Sequence, residues 1–308
     1  MRRHWSLFVT ASRYALIGHA RNRFAMLLVV VYIPVWIALA YVTIPDRPAP
    51  FRLRATGEVL TPPGNHLTQI TGALNAVTLI AGFMMFAATF TGGAFDRRLA
   101  MAGYPRHHLV LAKLSALTLV CAAVAVYATA AAGFAWSPRQ PFMLAAALFC
   151  AALTYGALGV VFGSVLRREV EGMFAILMIS IIDVALQNPL SSSGSDSAVV
   201  RFLPSYGAVQ ASMSAAFSTA PVAKGLAIQL LWLLGAALAA FMVFRRRTRD
   251  ALPPERKRRT PDRSGGADED GGAEANTGTG AHADADAETD APARTPEPGA
   301  VTPGVRPN

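Results

Sequence analysis

Six stretches of this chain stay apolar for the length of a membrane crossing: Phe24–Ile44, Ile70–Phe95, Leu114–Trp136, Phe142–Leu166, Gly172–Leu190 and Gly225–Phe244. The 21 residues of the first make about 31 Å of helix, enough for a hydrocarbon core of ~30 Å. Pro34 lies in its middle and predicts a kink, which packing against neighbouring helices tolerates. Lys113 leads into the third run, where its stem can snorkel to the interface. Asp183 alone interrupts the fifth, and Arg245, Arg246, Arg247 and Arg249 stop the sixth. The expected fold class is all-α: a polytopic integral membrane protein with six transmembrane helices over residues 24–244.

Outside these runs the pattern changes. Trp5 to Arg23 is basic and amphipathic, with Trp5, Val9 and Leu16 on one face although polar residues intrude. Residues 1–23 are therefore expected to form a cytoplasmic interfacial helix. Between the fifth and sixth runs, Ser191–Ser197 is polar, but Ala198–Phe217 is mostly apolar around Pro204 and Gly207. That segment is too short and too broken to span after turning back, and it predicts a re-entrant or interfacial helix pair. Residues 245–308 read as a basic stop followed by an acidic cytoplasmic tail. Beyond Arg259 the chain is rich in Gly, Ala, Pro, Asp and Glu and has no aromatic residue. Such a segment buries too little to offset its chain entropy, so disorder is expected there.

Charge sets the orientation. Segments 1–23, 95–113, 167–171 and 245–259 hold 19 Lys and Arg, whereas 45–69, 137–141 and 191–224 hold 6. Basic loops stay on the cytoplasmic side, which places both termini in the cytoplasm. The net charge of +9 is the sum of +16 over residues 1–259 and −7 over 260–308. A basic excess of this kind in a soluble protein would point to nucleic acid. Here the arginines flank apolar runs, so the excess reads as topology and membrane lipids, not nucleic acid, are the expected surroundings. Charged residues form only 15% of the chain, against roughly 25% in a soluble domain.

The chemistry-bearing motifs of common enzymes do not occur. There is no G-x-x-x-x-G-K-[ST] phosphate loop, no H-E-x-x-H, no paired-cysteine spacing and no G-x-S-x-G elbow. His107 and His108 are adjacent, so they do not share a helical face as metal ligands would. The apolar runs contain Ser and Thr but no His to activate one. Cys121 and Cys150 sit inside apolar runs and read as small packing side chains. No catalytic, cofactor-binding or metal residue is expected on this chain, and no cleavable signal peptide.

The segment between the second and third runs is the most informative: "FDRRLAMAGYPRHHLVLAKL", Phe95 to Leu114. Asp96 near a helix start, with Arg97 and Arg98 after it, predicts a short interfacial helix ended by Gly103 and Pro105. It is either a solvated basic turn or a docking helix for a cytoplasmic partner. The run resembles the intracellular coupling segment of type-2 ATP-binding-cassette exporter permeases, often written R-R-x-x-A-x-G-x-P-R-x-x-L-x-x-x-K-L; Met101 stands at its Ala position. Trp5 to Arg23 resembles that family's connecting helix, although this is the poorest match. "DVALQNPL", Asp183 to Leu190, resembles the end of its fifth helix, and "FLPSYGAVQ", Phe202 to Gln210, its outward re-entrant region. The likeness spans about residues 3–245.

The resemblance implies a permease subunit in a bacterial cytoplasmic membrane that pairs with a second permease, in a homodimer or heterodimer, and with separate ATPase subunits. ATP and Mg would bind those partners, not this chain. Asp96, Arg97, Arg98, Gly103, Pro105, Arg106 and Lys113 would then carry coupling to the ATPase. Arg167, Arg168, Glu169 and Glu171 offer a second cytoplasmic contact, or a solvated loop. Two alternatives stay open: an ion-coupled secondary carrier, and a non-transporting anchor or immunity subunit. A carrier predicts several polar groups at mid-membrane and internal repeats. The one clear intramembrane charge is Asp183, with Ser180 and Gln187 on its helical face and Asn188 following. It reads as structural pairing across an interface, a proton or substrate contact, or a group near the outer surface. Gly156, Gly159 and Gly163 form a small-residue stripe for close helix packing.

Overall fold

The computed structural model describes residues 2–102, 104, 106–195 and 197–249; at some of these, Asp96, Arg97 and Arg106 among them, only the backbone is described. The fold is all-α. Among the described residues, five helical stretches are long and apolar enough to cross a membrane: Ala25–Thr43, Gly64–Gly92, His108–Ala132, Pro141–Val165 and Ala223–Val243.

Helix α1, Arg2–Arg21, ends at Asn22, whose Oδ1 accepts the Ala25 N–H at 3.1 Å and so caps the next helix. The first apolar run becomes α2, Arg23–Leu27, one turn of wider π-helix over Leu28–Tyr32, and α3, Ile33–Thr43. A proline has no N–H to give the carbonyl four residues back, and its ring crowds that carbonyl. The wide turn directly ahead of Pro34 accommodates the mismatch.

Helix α4, Gly64–Met101, is 38 residues long, about 57 Å. It overturns the expectation of a separate short helix near Asp96. Asp96 lies in the interior of α4, because nothing between Phe90 and Arg98 breaks the ladder of backbone bonds and Gly92–Gly93 is tolerated within it. The helix closes after Met101, where the Tyr104 N–H donates to Leu99 O at 3.0 Å. Gly103 and Pro105, expected to end it, lie outside the described residues.

Helices α5 (Arg106–Ala132), α6 (Pro141–Val165), α7 (Glu169–Gln187), α8 (Tyr206–Phe217) and α9 (Ala223–Arg249) complete the bundle. Helix α6 is its centre, touching α4, α5, α8 and α9. The run expected as a fifth span is α7. It carries Glu169, Glu171 and Asp183 and is not among the five stretches above.

Described parts of the two sets of loops separated by charge gather at opposite ends of the bundle. At one end, a hairpin pairs Phe51–Arg52 with Val59–Leu60, and Gly57 takes a positive φ of 77° in its turn. The hairpin is tied to α8, through Arg54 N–H to Gln210 Oε1 and Ser218 Oγ to Glu58. The Gln140 side chain there donates to Ser218 O and Ala220 O. At the other end, the Tyr104 hydroxyl donates to Leu7 O at 2.8 Å, and Ser12 meets Ser115. The tail beyond Arg249 lies outside the described residues, so its expected disorder stands as an expectation.

Candidate functional site

Polar side chains inside an apolar bundle converge on Asp183. It sits on α7, one turn before the helix ends, and is 1% exposed. Its Oδ2 accepts the Tyr155 hydroxyl from α6 and, at 2.9 Å, the Ser205 N–H ahead of α8. Its Oδ1 accepts the Gln187 amide at 2.7 Å, which also donates to Ser205 Oγ.

The position of these donors explains the carboxyl. The first N–H groups of a helix have no partner within the helix, and at membrane depth water cannot serve them. Helix α8 is buried along almost its whole length, so its N-terminus needs partners from elsewhere. Asp183 takes the Ser205 N–H, and Gln229 Oε1 from α9 takes the Ala208 N–H at 2.9 Å. The Gln229 amide in turn donates to Thr154 on α6. Two flanking helices thus cap α8 with side chains, and the positive end of its dipole faces the carboxyl.

A second strand of polar contacts joins α4 to α7. Ser180 Oγ meets Thr78 Oγ1 at 2.9 Å and accepts from Asn75 Nδ2 at 3.1 Å; Asn188 Nδ2 donates to Thr71 Oγ1 at 3.2 Å. The stripe Ser180, Asp183 and Gln187 was legible as one helical face. Its partners were not, although Thr71, Asn75 and Thr78 recur at helical spacing within the second apolar run and are a signal of the same kind.

The glycines of α6 face α4 and α5. A Cβ on Gly156 would press on Leu117, one on Gly159 would fall on the Gly82 carbonyl, and one on Gly163 would press on the Phe86 carbonyl at 2.8 Å. Gly207 and Gly225 allow an equally close crossing of α8 and α9.

The predicted cytoplasmic contacts lie at the α1 end. Arg98 is exposed on the last turn of α4, and Lys113 lies on the third turn of α5 beside His19 of α1. The backbones of Asp96 and Arg97 continue α4 and that of Arg106 opens α5; their side chains, with Gly103 and Pro105, are outside the described residues. Arg167, Arg168, Glu169 and Glu171 are all exposed, and Arg168 pairs with Glu171 at 3.7 Å. Such a solvated pair contributes ~0–1 kcal/mol. Among the described residues no three His, Cys, Asp or Glu gather as a metal site, and Cys121 and Cys150 are free thiols.

Compared with known proteins, the chain matches no family model and no curated sequence.

Proposed function

We propose that this chain is the membrane-spanning permease subunit of an ATP-driven exporter, working with ATPase subunits on separate chains. The observation that carries the reading is the segment from Phe95 to Leu114, which joins the ends of α4 and α5 and lies against α1 through Tyr104 and Leu7. A long, unbroken α4 that projects past its apolar stretch is a lever. A push on its end reaches Gly82 and Phe86, where α4 meets α6. In this reading α7 is a sixth crossing. It runs antiparallel to α4, with Gly172 against Phe86 and Asn188 bonded to Thr71, and so lies along about 22 Å of that helix, against an apolar layer of ~30 Å. Helix α8 is then a re-entrant helix, antiparallel to α9, with its N-terminus at the level of Asp183 and its C-terminus among the outer loops. Both termini lie in the cytoplasm.

A secondary carrier draws support from the polar network around Asp183. That network is, however, engaged in capping α8, and this weakens its claim to be an ion pathway.

The test is co-purification of a co-expressed ATPase with Arg98→Glu and Gly103→Trp, alongside an export assay. Both variants should insert and express normally, yet lose ATPase binding and export together. Charge reversal at a desolvated contact costs ~2–5 kcal/mol, a loss of 30-fold or more in binding. Wild-type behaviour in both assays would remove the main support for the proposal and favour the carrier.

A further inference from the structure

Helix α1 has two apolar faces, and only one is covered by protein. Leu7, Phe8, Ala11, Ser12 and Ala15 turn inward, with half-buried Leu16 at the edge of that face, and Ser12 meets Ser115 on α5. The opposite face exposes Trp5 (68%), Tyr14 (70%), Val9 and Ile17, interleaved with Arg13 and Arg21. Aromatic rings with a polar edge, alternating with arginines whose stems are apolar, suit the boundary between hydrocarbon and headgroup.

The depth of α1 agrees with that chemistry. It packs on the first turns of α5, where the apolar stretch beginning at His108 starts, and Asn22 alone separates it from Arg23 at the head of the first apolar run. The helix is thereby held in the plane where two crossings begin. No Asp or Glu occurs before Asp46, while Arg2, Arg3, Arg13, Arg21 and Arg23 precede the first crossing. Positive charge at headgroup depth, on a segment of the chain that carries no acidic residue, selects negative headgroups, with roughly a fivefold gain in local occupancy per arginine at moderate salt.

We propose that the outward face of α1 is a binding surface for anionic phospholipid, with Trp5 and Tyr14 in the interface and Arg13 and Arg21 on the lipid phosphates. The proposal rests on the membrane reading of the chain but not on its ATPase partner, so it stands or falls separately from the exporter assignment.

The experiment uses the full chain in nanodiscs of phosphatidylcholine containing 0 or 30% phosphatidylglycerol. Lipid retention is read by native mass spectrometry, and the depth of Trp5 by quenching with brominated lipid, all other tryptophans being replaced by Phe. The wild type should retain phosphatidylglycerol over phosphatidylcholine by tenfold or more, and salt should reduce that preference. The Arg13→Gln/Arg21→Gln variant should lose tenfold or more of it while keeping wild-type helix content, because both side chains are exposed. Three results would overturn the proposal: equal retention of the two lipids, an unchanged preference in the double variant, or no quenching of Trp5. Displacement of the lipid by millimolar inorganic phosphate would identify a free-anion site instead and also reject it.

Discussion

Replacing Asp183 separates a capping role from a transporting one. In Asp183→Ala the Tyr155 hydroxyl and the Ser205 N–H lose their acceptor at a site where the native side chain is only 1% exposed. The Gln187 amide keeps two acceptors, the backbone carbonyl of residue 183 and Ser205 Oγ, and loses less. Two buried donors left unpaired cost about 1–3 kcal/mol each, so Ala should destabilise by roughly 2–6 kcal/mol, partly offset by removal of a buried carboxyl. Asp183→Asn keeps one acceptor oxygen. Its new amide can donate to Gln187 Oε1, which is buried without a partner in the native arrangement. Asn should therefore cost only about 1–2 kcal/mol, the loss of charge at the α8 terminus. For a bundle of this size 1 kcal/mol corresponds to about 2–4 °C in Tm. Thermal unfolding in detergent, followed by size-exclusion fluorescence, should rank wild type above Asn and Asn above Ala, with Asn and Ala separated by several degrees. If Ala unfolds at the wild-type temperature, the capping argument is wrong. If Asn is stable but inactive, the carboxyl serves transport as well.

Gly159→Val drives a branched side chain into the Gly82 backbone and should cost 3 kcal/mol or more or prevent assembly; Gly235→Ala, where a Cβ meets nothing within 4 Å, should be neutral or slightly stabilising in the same unfolding assay. In a Cys121- and Cys150-free background, an impermeant thiol reagent applied to intact cells should reach a cysteine at Gly57 and not one at Gly103; the reverse result would invert the topology. The His19 imidazole is held below its ordinary 6.5 by burial first and by the Lys113 ammonium second, so the packed state favours the neutral ring. The attachment of α1 to α5 is then at full strength above about pH 6.5 and weakens as the pH falls below it, which hydrogen exchange across residues 5–21 should show and His19→Gln should abolish.

The apolar runs and the distribution of arginine are enough to establish an all-helical membrane protein, because lipid tolerates little else and the length of a crossing is set by the bilayer. The termini of most crossings fall within a few residues of the runs for the same reason. The division of the loops into two sets is also legible in the distribution of charge, because successive crossings reverse the chain. What the pattern could not give is where a helix continues past its apolar stretch. Gly64 to Gln69 and Asp96 to Met101 prolong α4 because backbone bonds extend wherever no breaker intervenes and side chains such as Gln69 find a partner in Trp136 across the bundle. The reason for Asp183 was equally hidden. The sequence shows a carboxyl with Ser180 and Gln187 on its face, but its role depends on Tyr155 and Ser205, 28 residues before it and 22 after it. Only packing brings a helix terminus that lacks hydrogen-bond partners up against that carboxyl, and the need to satisfy it in the absence of water makes a buried charge tolerable at that depth.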